Sequence, residues 1–108
     1  MAEVPQGGPQ EPPGEAPAVR DNPAARRLEI VSPGGTAYAE YRLAPGVITF
    51  THTEVPSALN GRGIGTALAK AGLDYAIAES LRVIPQCPFV ADFIRIHPQY
   101  QPIVDSPK

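Results

Sequence analysis

The sequence predicts a small layered α+β domain, in which a mostly antiparallel sheet carries one βαβ step and two helices. Two observations lead to this fold class. From Arg27 to Val55 the chain alternates apolar and polar residues in short runs separated by proline and glycine, as antiparallel strands do. From Thr66 to Leu81 it instead repeats alanine and leucine at helical spacing, and a short apolar run and a second amphipathic stretch follow.

The first 19 residues differ in composition from the rest of the 108-residue chain. They hold five prolines and three glycines, no aromatic residue and a net charge of −3. Such a segment buries too little apolar surface to offset the entropy of ordering it. We therefore expect residues 1–19 to form a disordered extension and residues 20–108 to form one domain with one core.

Three strands are predicted before the first helix, at Arg27–Ser32, Thr36–Ala44 and Val47–Val55. Proline and glycine at positions 33–35 and 45–46 favour tight turns between them. In the third strand the two-residue period places His52 and Glu54 on the same face as Phe50. We therefore expect an antiparallel meander whose last strand carries His52 and Glu54 side by side.

Two helices with a short strand between them are predicted next, after an irregular stretch at 57–60. The first helix spans Thr66–Leu81, the strand is Val83-Ile84, and the second helix begins at Pro88 and stops at Pro98. A strand, a helix and a further strand in this order indicate a parallel crossover. Residues 99–108, with two more prolines, are expected to form a docked or frayed tail.

Charge and composition exclude several classes of partner. Residues 20–108 have a net charge of +1 and no basic block, so we expect no nucleic-acid partner. No apolar run approaches the roughly 18 residues of a membrane-spanning helix, and the N-terminus lacks the pattern of a secretion signal, so we expect a cytoplasmic monomer with no membrane partner. Because Cys87 is the only cysteine, no internal disulfide can form and we expect no metal site.

The glycine-rich loop between the third strand and the first helix is the clearest candidate binding site. Gly61, Gly63 and Gly65 alternate just before the helix, where backbone N–H groups and the helix dipole favour an anion. A helix entry that only needs flexible backbone angles is the alternative. The dinucleotide motif G-x-G-x-x-G fails at Thr66 and the P-loop lysine is absent, which leaves the pyrophosphate of coenzyme A as the remaining common ligand.

The residues of this loop resemble a known motif. Asn60-Gly61-Arg62-Gly63-Ile64-Gly65-Thr66-Ala67-Leu68 is similar to the acetyl-CoA-binding motif of the GNAT acetyltransferase superfamily, Gln/Arg-x-x-Gly-x-Gly/Ala. Asn60 stands where the motif has glutamine or arginine, which changes one side-chain contact and leaves the backbone amides in place.

A narrower resemblance covers nearly all of residues 25–105. The blocks that carry it are His52-Thr53-Glu54-Val55-Pro56, Gly61-Arg62-Gly63-Ile64-Gly65, Ile84-Pro85-Gln86-Cys87-Pro88-Phe89 and Ile96-His97-Pro98-Gln99-Tyr100. In this order they resemble the minimal, single-domain GNAT proteins of the YjdJ type. The resemblance implies a truncated GNAT acyl-CoA N-acyltransferase fold without the extra strands and helices of the longer family members.

The same resemblance implies acetyl-CoA as cosubstrate and an amine as acceptor, so that the protein would be an N-acetyltransferase. Its cofactor-binding residues would be Val55, Asn60, Gly61, Arg62, Gly63, Ile64, Gly65 and Thr66. The N–H of Val55, at the end of the fourth strand of the family fold, would polarise the thioester carbonyl. Arg62 would either approach a phosphate or stay in solvent, and Thr66 would add a hydroxyl group or only start the helix.

Three residues are candidates for catalysis. His52 has a side chain whose ordinary pKa suits a general base, and Glu54 beside it would orient the ring or raise its pKa. Cys87 precedes Pro88 at the start of the last helix, where the dipole lowers a thiol pKa, so it could accept the acetyl group or protonate the leaving thiolate. The alternatives are an ordinary strand histidine and a small buried cysteine. A non-catalytic module that binds coenzyme A or an acyl-CoA is the competing function, and the sequence does not name the acceptor amine.

Overall fold

The computed structural model describes residues 18–105. The predicted disordered extension, residues 1–19, lies outside the described residues except for its last two positions. Of these, Val19 is half-buried and packs against the core. No helix in the described range is long and apolar enough to cross a membrane.

The sheet has five strands whose order in space follows their order in the chain. They are β1 (Arg20–Asn22), β2 (Arg27–Ser32), β3 (Gly35–Ala44), β4 (Val47–Glu54) and β5 (Arg82–Pro85). Strands β1 to β4 form the antiparallel meander, and β5 runs parallel to β4. The predicted fold class is thus confirmed, with one strand more than the sequence pattern indicated. β1 has three residues, too few to show an alternation.

Between residues 18 and 105 the other elements are two α-helices and two 3₁₀ turns: α1 (Ile64–Ala78), α2 (Pro88–Ile96), and the turns Ser57–Leu59 and Pro98–Ile103. α1 begins two residues before the predicted start, because Gly63 takes a left-handed conformation and serves as the N-cap. It also ends before the predicted Leu81, because Ser80 is left-handed with φ 58°. The N–H of Leu81 then donates to the oxygen of Ala76 at 2.8 Å, which closes the helix end.

A β-bulge in β4 breaks the predicted alternation of its side chains. Glu40 pairs with His52 and Tyr41 pairs with Phe50, so Thr51 is an extra residue without a partner in β3. Phe50 faces the helices and is buried, whereas His52 faces the opposite side and is exposed. The prediction that Phe50 and His52 share a face was therefore wrong, because a two-residue period cannot anticipate an inserted residue.

Both helices pack on one face of the sheet. α1 lies close to it at Gly72, where an added Cβ would be 2.7 Å from a ring atom of Phe50 and 3.3 Å from Leu28. The start of α2 reaches the same face, since the sulfur of Cys87 lies 3.4 Å from the hydroxyl oxygen of Thr53. The other side of the sheet carries polar side chains and, within residues 18–105, no helix. We call this side the open face; its members include Arg27, Glu29, Tyr38, Glu40, Arg42, His52 and Glu54.

The C-terminal turn is fixed to α1 and β5 by side-chain hydrogen bonds. The hydroxyl group of buried Tyr100 donates to Asp74 at 2.8 Å. Arg82 donates to the backbone oxygens of Pro102 and Val104 at 3.0 and 2.7 Å. Val104 forms a parallel bridge with Val83, so the chain runs along the outer edge of β5. The tail predicted for residues 99–108 is docked as far as the structure describes it.

Candidate active site

Strands β4 and β5 separate at the centre of the domain. Their last pair is Phe50 with Pro85, while β4 continues to Glu54. The N–H of Cys87 still donates to the oxygen of Phe50 at 2.9 Å, after which α2 leads the chain away. A cavity of about 360 Å³ lies between the end of β4, the glycine loop, the start of α1 and the start of α2.

Seven of the eight residues predicted to bind cofactor line this cavity: Val55, Asn60, Gly61, Gly63, Ile64, Gly65 and Thr66. Arg62, the eighth, is exposed on the loop and is not part of the lining. Thr53, Leu59 and Phe89 also line the cavity and were not predicted. The structure therefore gathers the glycine motif around one space but leaves its arginine outside.

Backbone amides from the first turn of α1 belong to residues that line the cavity. The first helical hydrogen bond of α1 runs from the N–H of Ala67 to the oxygen of Gly63 at 2.9 Å. The N–H groups of Ile64, Gly65 and Thr66 therefore have no acceptor within the helix. They carry the positive end of the helix dipole, which is a suitable place for a phosphate oxygen.

Glycine is needed in this loop for two different reasons. Gly61 and Gly63 have φ values of 82° and 71°, and nothing lies within 4 Å of where a Cβ would stand. The left-handed backbone requires glycine at these positions and leaves open space beside the amides. At Gly65 the cause is packing, because a Cβ would lie 2.9 Å from the Cζ atom of Phe89.

Phe89 forms one wall of the cavity from the first turn of α2. Its side chain is packed over Gly65 yet 42% of the residue remains exposed. The sequence placed Phe89 in the second predicted helix, directly after Pro88, without a role in the site. Its place beside the cavity could have been inferred, because Phe89 lies in the first turn of α2 and that helix starts just after β5 ends.

His52 and Glu54 form a pair on the open face. The Nε2 atom of His52 lies 3.0 Å from the Oε1 atom of Glu54, and each side chain is about half exposed, at 53% and 54%. A carboxylate accepts hydrogen bonds, so the tautomer that fits this contact has its proton on Nε2. In that tautomer the Nδ1 atom keeps a lone pair, as a base requires.

An aromatic and an ion pair continue this cluster across the open face. The ring of Tyr38 lies 6.2 Å from the ring of His52, and the guanidinium group of Arg27 lies 4.3 Å from the centre of the Tyr38 ring. Arg27 also donates to Glu29 at 2.7 Å, and Asn22 donates to the same carboxylate at 3.0 Å. These hydrogen bonds, from Arg27 first and then Asn22, hold the pKa of Glu29 below its ordinary value.

Cys87 lies apart from the His52–Glu54 pair. It is the N-cap of α2 and only 3% exposed, and it contacts Thr53 on the helix-covered face of β4. Thr53 separates the thiol from the cavity, whose lining does not include Cys87. The three predicted catalytic residues therefore occupy two places on opposite faces of one strand.

The cavity lining itself has no ionisable side chain. Its polar side chains are the hydroxyl groups of Thr53 and Thr66 and the amide of Asn60. Within the part of the chain that the structure describes, no group of three or more histidine, cysteine, aspartate or glutamate side chains is close enough to hold a metal ion. Recognition in the cavity thus depends on backbone amides, hydroxyl groups and apolar contact.

Comparison with known proteins identifies the family. Residues 27–103 match the family model described as GCN5-related N-acetyl-transferase. This chain belongs to that family. The GNAT membership expected from the glycine motif and the three further sequence blocks is thereby confirmed.

Individual relatives agree with this family assignment. Protein NATD1 of Bos taurus is 42% identical over 52 residues, which cover 48% of this chain and 46% of that protein. Protein NATD1 of Danio rerio is 40% identical over 55 residues, covering 49% of this chain and 50% of that protein. The matched part of this GNAT chain thus spans about half the length of these curated relatives.

A solved structure agrees with the fold. The solution structure of a GCN5-like protein from Staphylococcus aureus superposes with a TM-score of 0.66 at 23% identity, covering 84% of this chain and 90% of that chain. The mixed sheet with two main helices is accordingly a GNAT fold.

Proposed function

We propose that this protein is an N-acetyltransferase that transfers the acetyl group of acetyl-CoA to an amine. The observation that carries the proposal is the glycine loop at the separation of β4 and β5, where seven predicted residues surround one cavity. Family membership supports acetyl transfer in general. That acetyl-CoA is the cosubstrate and that an amine is the acceptor are our proposals beyond family membership.

The residues at the cavity suit coenzyme A. The free amides of Ile64, Gly65 and Thr66 would hold the pyrophosphate, and the open space beside Gly61 and Gly63 lets its oxygens approach the backbone. The apolar wall at Phe89 suits the pantetheine arm. When bound, acetyl-CoA supplies the acetyl group as a thioester.

The side chains of the open face suit the amine. Beyond Phe50, β4 has no partner in β5. A substrate on the open face could therefore reach the helix-covered face around this unpaired edge of β4. An amine beside His52 could therefore reach a carbonyl carbon held next to Thr53 or Val55. In the transfer, the amine nitrogen bonds to the acetyl carbon, the carbon–sulfur bond breaks, and the amine proton passes through His52 to the departing thiolate.

Titration with acetyl-CoA, followed by amide chemical shifts, tests the cofactor site. We expect shifts centred on Gly61–Thr66 and a weaker affinity in Gly63→Ala, whose methyl group enters the open space beside the amides. Gly46→Ala is the matched control, since Gly46 has φ 75°, equally open surroundings and a place in the distant β3–β4 turn. Both variants carry a similar backbone strain of about 1–2 kcal/mol, so only a difference in acetyl-CoA affinity supports the site. Equal affinities would reject it.

Intact mass after incubation with acetyl-CoA distinguishes two chemical routes. A direct transfer leaves Cys87 unmodified, and Cys87→Ala then keeps its turnover. A covalent route adds one acetyl group to the protein, and Cys87→Ala loses both this added mass and its turnover. The burial of Cys87 and its absence from the cavity lining favour the direct route.

A non-catalytic module that binds coenzyme A is the second candidate, and one observation favours it. No ionisable side chain reaches the cavity, and the His52–Glu54 pair lies on the other face of β4. Under this function His52→Gln and Glu54→Gln leave acetyl-CoA affinity unchanged and no amine is acetylated. Release of free coenzyme A that depends on an added amine would exclude it.

A further inference from the structure

A second hollow, of about 340 Å³, lies beside the Thr51 bulge. It is lined by Arg26, Glu40, Arg42 and Thr51, together with Ala25 and Tyr41. None of these residues lines the proposed cofactor cavity. Glu40 and Arg42 alternate with buried Ala39 and Tyr41, which places the hollow on the open face.

The backbone around the bulge forms this hollow. Thr51 has no backbone partner in β3, and its hydroxyl group instead donates to the oxygen of Glu40 at 3.4 Å. On the other side of β3, the β1–β2 turn lies beside the strand, where the oxygen of Arg26 accepts the N–H of Tyr41 at 2.9 Å. Arg26 is left-handed there, with φ 57°. Bulges often redirect side chains at functional sites.

The charges in the hollow have both signs. Arg26 and Arg42 are exposed, and neither forms an ion pair with another residue between 18 and 105. Guanidinium groups bind carboxylates through paired, charge-assisted hydrogen bonds. Glu40, the third ionisable side chain, accepts hydrogen bonds and suits an ammonium group. An occupant with a carboxylate at one end and an amine at the other matches this arrangement.

The hollow is next to the His52–Glu54 pair. Glu40 stands directly opposite His52 in the register of β3 and β4, and such cross-strand neighbours have Cβ atoms about 5 Å apart. An amine bound by Glu40 is therefore beside the His52 ring. The separation of β4 and β5 begins at Phe50, one residue before the bulge, on the far edge of β4. Across the sheet the order is thus arginines, Glu40, His52 and then the opening toward the cofactor cavity.

We infer that this hollow is the acceptor subsite and that the acceptor is an amino-acid-sized amine that also bears a carboxylate. Arg26 and Arg42 bind the carboxylate, and Glu40 directs the amine toward His52. The ammonium group held by Glu40 first releases one proton to solvent, which leaves its nitrogen with a lone pair. As this nitrogen bonds to the acetyl carbon and the carbon–sulfur bond breaks, His52 takes the second proton and passes it to the released thiolate. This inference rests on the proposed function for the acetyl donor but not for the binding of the carboxylate.

Chemical-shift titration without acetyl-CoA tests the hollow by itself. The probes are 4-aminobutanoate and n-butylamine, which share a chain of four carbons and an amine but differ in the carboxylate. We expect 4-aminobutanoate to shift the amides of Arg26, Glu40, Arg42 and Thr51, and n-butylamine, which offers only the amine to Glu40, to bind more weakly and shift them less at the same concentration. Arg26→Gln and Arg42→Gln each lower the affinity for 4-aminobutanoate by about tenfold, the loss expected of one charge-assisted hydrogen bond. The control is Arg95→Gln, which replaces an exposed arginine on α2 and leaves the affinity for 4-aminobutanoate unchanged.

Acetyl transfer provides the second measurement. In the wild-type protein kcat/KM is higher for 4-aminobutanoate than for n-butylamine, and the two arginine variants raise KM for 4-aminobutanoate alone. Equal shifts with both probes, or none at the hollow, overturn the inference. Acetyl-CoA shifts at Gly61–Thr66 without probe shifts at the hollow overturn the inference and leave the proposed function standing. Probe shifts at the hollow without acetyl-CoA shifts support the carboxylate site and reject the proposed function.

Discussion

The sulfur atom of Cys87 lies 3.4 Å from the hydroxyl oxygen of Thr53, beneath the face of β4 opposite to His52. Thr53 lines the cavity and Cys87 does not, so the threonine side chain lies between the thiol and the cavity. A reagent that enters the cavity meets the hydroxyl group first. This relationship makes the reactivity of the thiol a measurable property of the native structure.

We predict that Cys87 reacts slowly with iodoacetamide in the native protein and rapidly in denaturant, because only 3% of the residue is exposed. Alkylation followed by intact mass measures both rates. In Thr53→Ala the native rate rises, since removal of the side chain opens a path from the cavity. Rapid native alkylation of the wild-type protein would show that the thiol is open to the cavity after all.

Gly72→Ala should destabilise the domain although alanine is the better helix former. The new Cβ would stand 2.7 and 2.8 Å from two ring atoms of Phe50, which is itself buried between α1 and the sheet. Overpacking of this kind costs about 1–3 kcal/mol, more than the gain in helix propensity of about 1 kcal/mol. Urea unfolding measures the difference, and Phe50→Leu in the Gly72→Ala background should recover part of it. An unchanged unfolding midpoint would mean that α1 can move away from the sheet at no cost.

The pair of Tyr100 and Asp74 makes stability depend on pH. Partial burial raises the pKa of Asp74, but the hydrogen bonds from Lys70 and Tyr100 outweigh it, so this pKa lies below its ordinary value. A lowered folded-state pKa contributes stability above the unfolded-state pKa, and this contribution is lost as pH falls through the folded-state value. The free energy of unfolding should therefore differ between wild type and Asp74→Asn at neutral pH and converge in acid. Urea unfolding at a series of pH values checks this, and a difference that persists in strong acid would contradict it.

His52 and Glu54 should affect turnover differently if His52 is the base. His52→Gln removes the proton acceptor and should lower kcat strongly. Glu54→Gln keeps a hydrogen-bond acceptor for Nε2 and should lower kcat less. Glu79→Gln, at the exposed end of α1, is the control. Equal losses of kcat in the His52 and Glu54 variants would indicate that the pair only shapes the open face.

Most of the fold could be predicted from the sequence because its signals are local. The meander follows from alternating residues and from turns with proline and glycine, and α2 begins at Pro88 as its position suggested. The early start of α1 depends on Gly63 acting as N-cap, and its end depends on Ser80 adopting a left-handed backbone that glycine usually provides. Helical spacing alone therefore predicts neither end of α1.

The site could be predicted only where a motif marks it. The glycine loop and its resemblance to the GNAT motif together led to seven of the cavity residues. Thr53 was missed because the bulge at Thr51 changes the face to which the following residues belong. The hollow at Arg26 and Arg42 carries no motif at all. It results from an inserted residue and a turn that meet only in three dimensions.

Both edges of the sheet are built in a way that limits strand-to-strand aggregation in concentrated solution. A free, flat strand edge recruits further strands and leads to aggregation. At one edge β1 offers only three residues, and at the other the C-terminal chain covers β5, with the N–H of Asp105 donating to the oxygen of Val83 at 2.7 Å. We therefore expect the hydrogen bonds from Arg82 to Pro102 and Val104 to limit self-association as well as to hold this segment against β5.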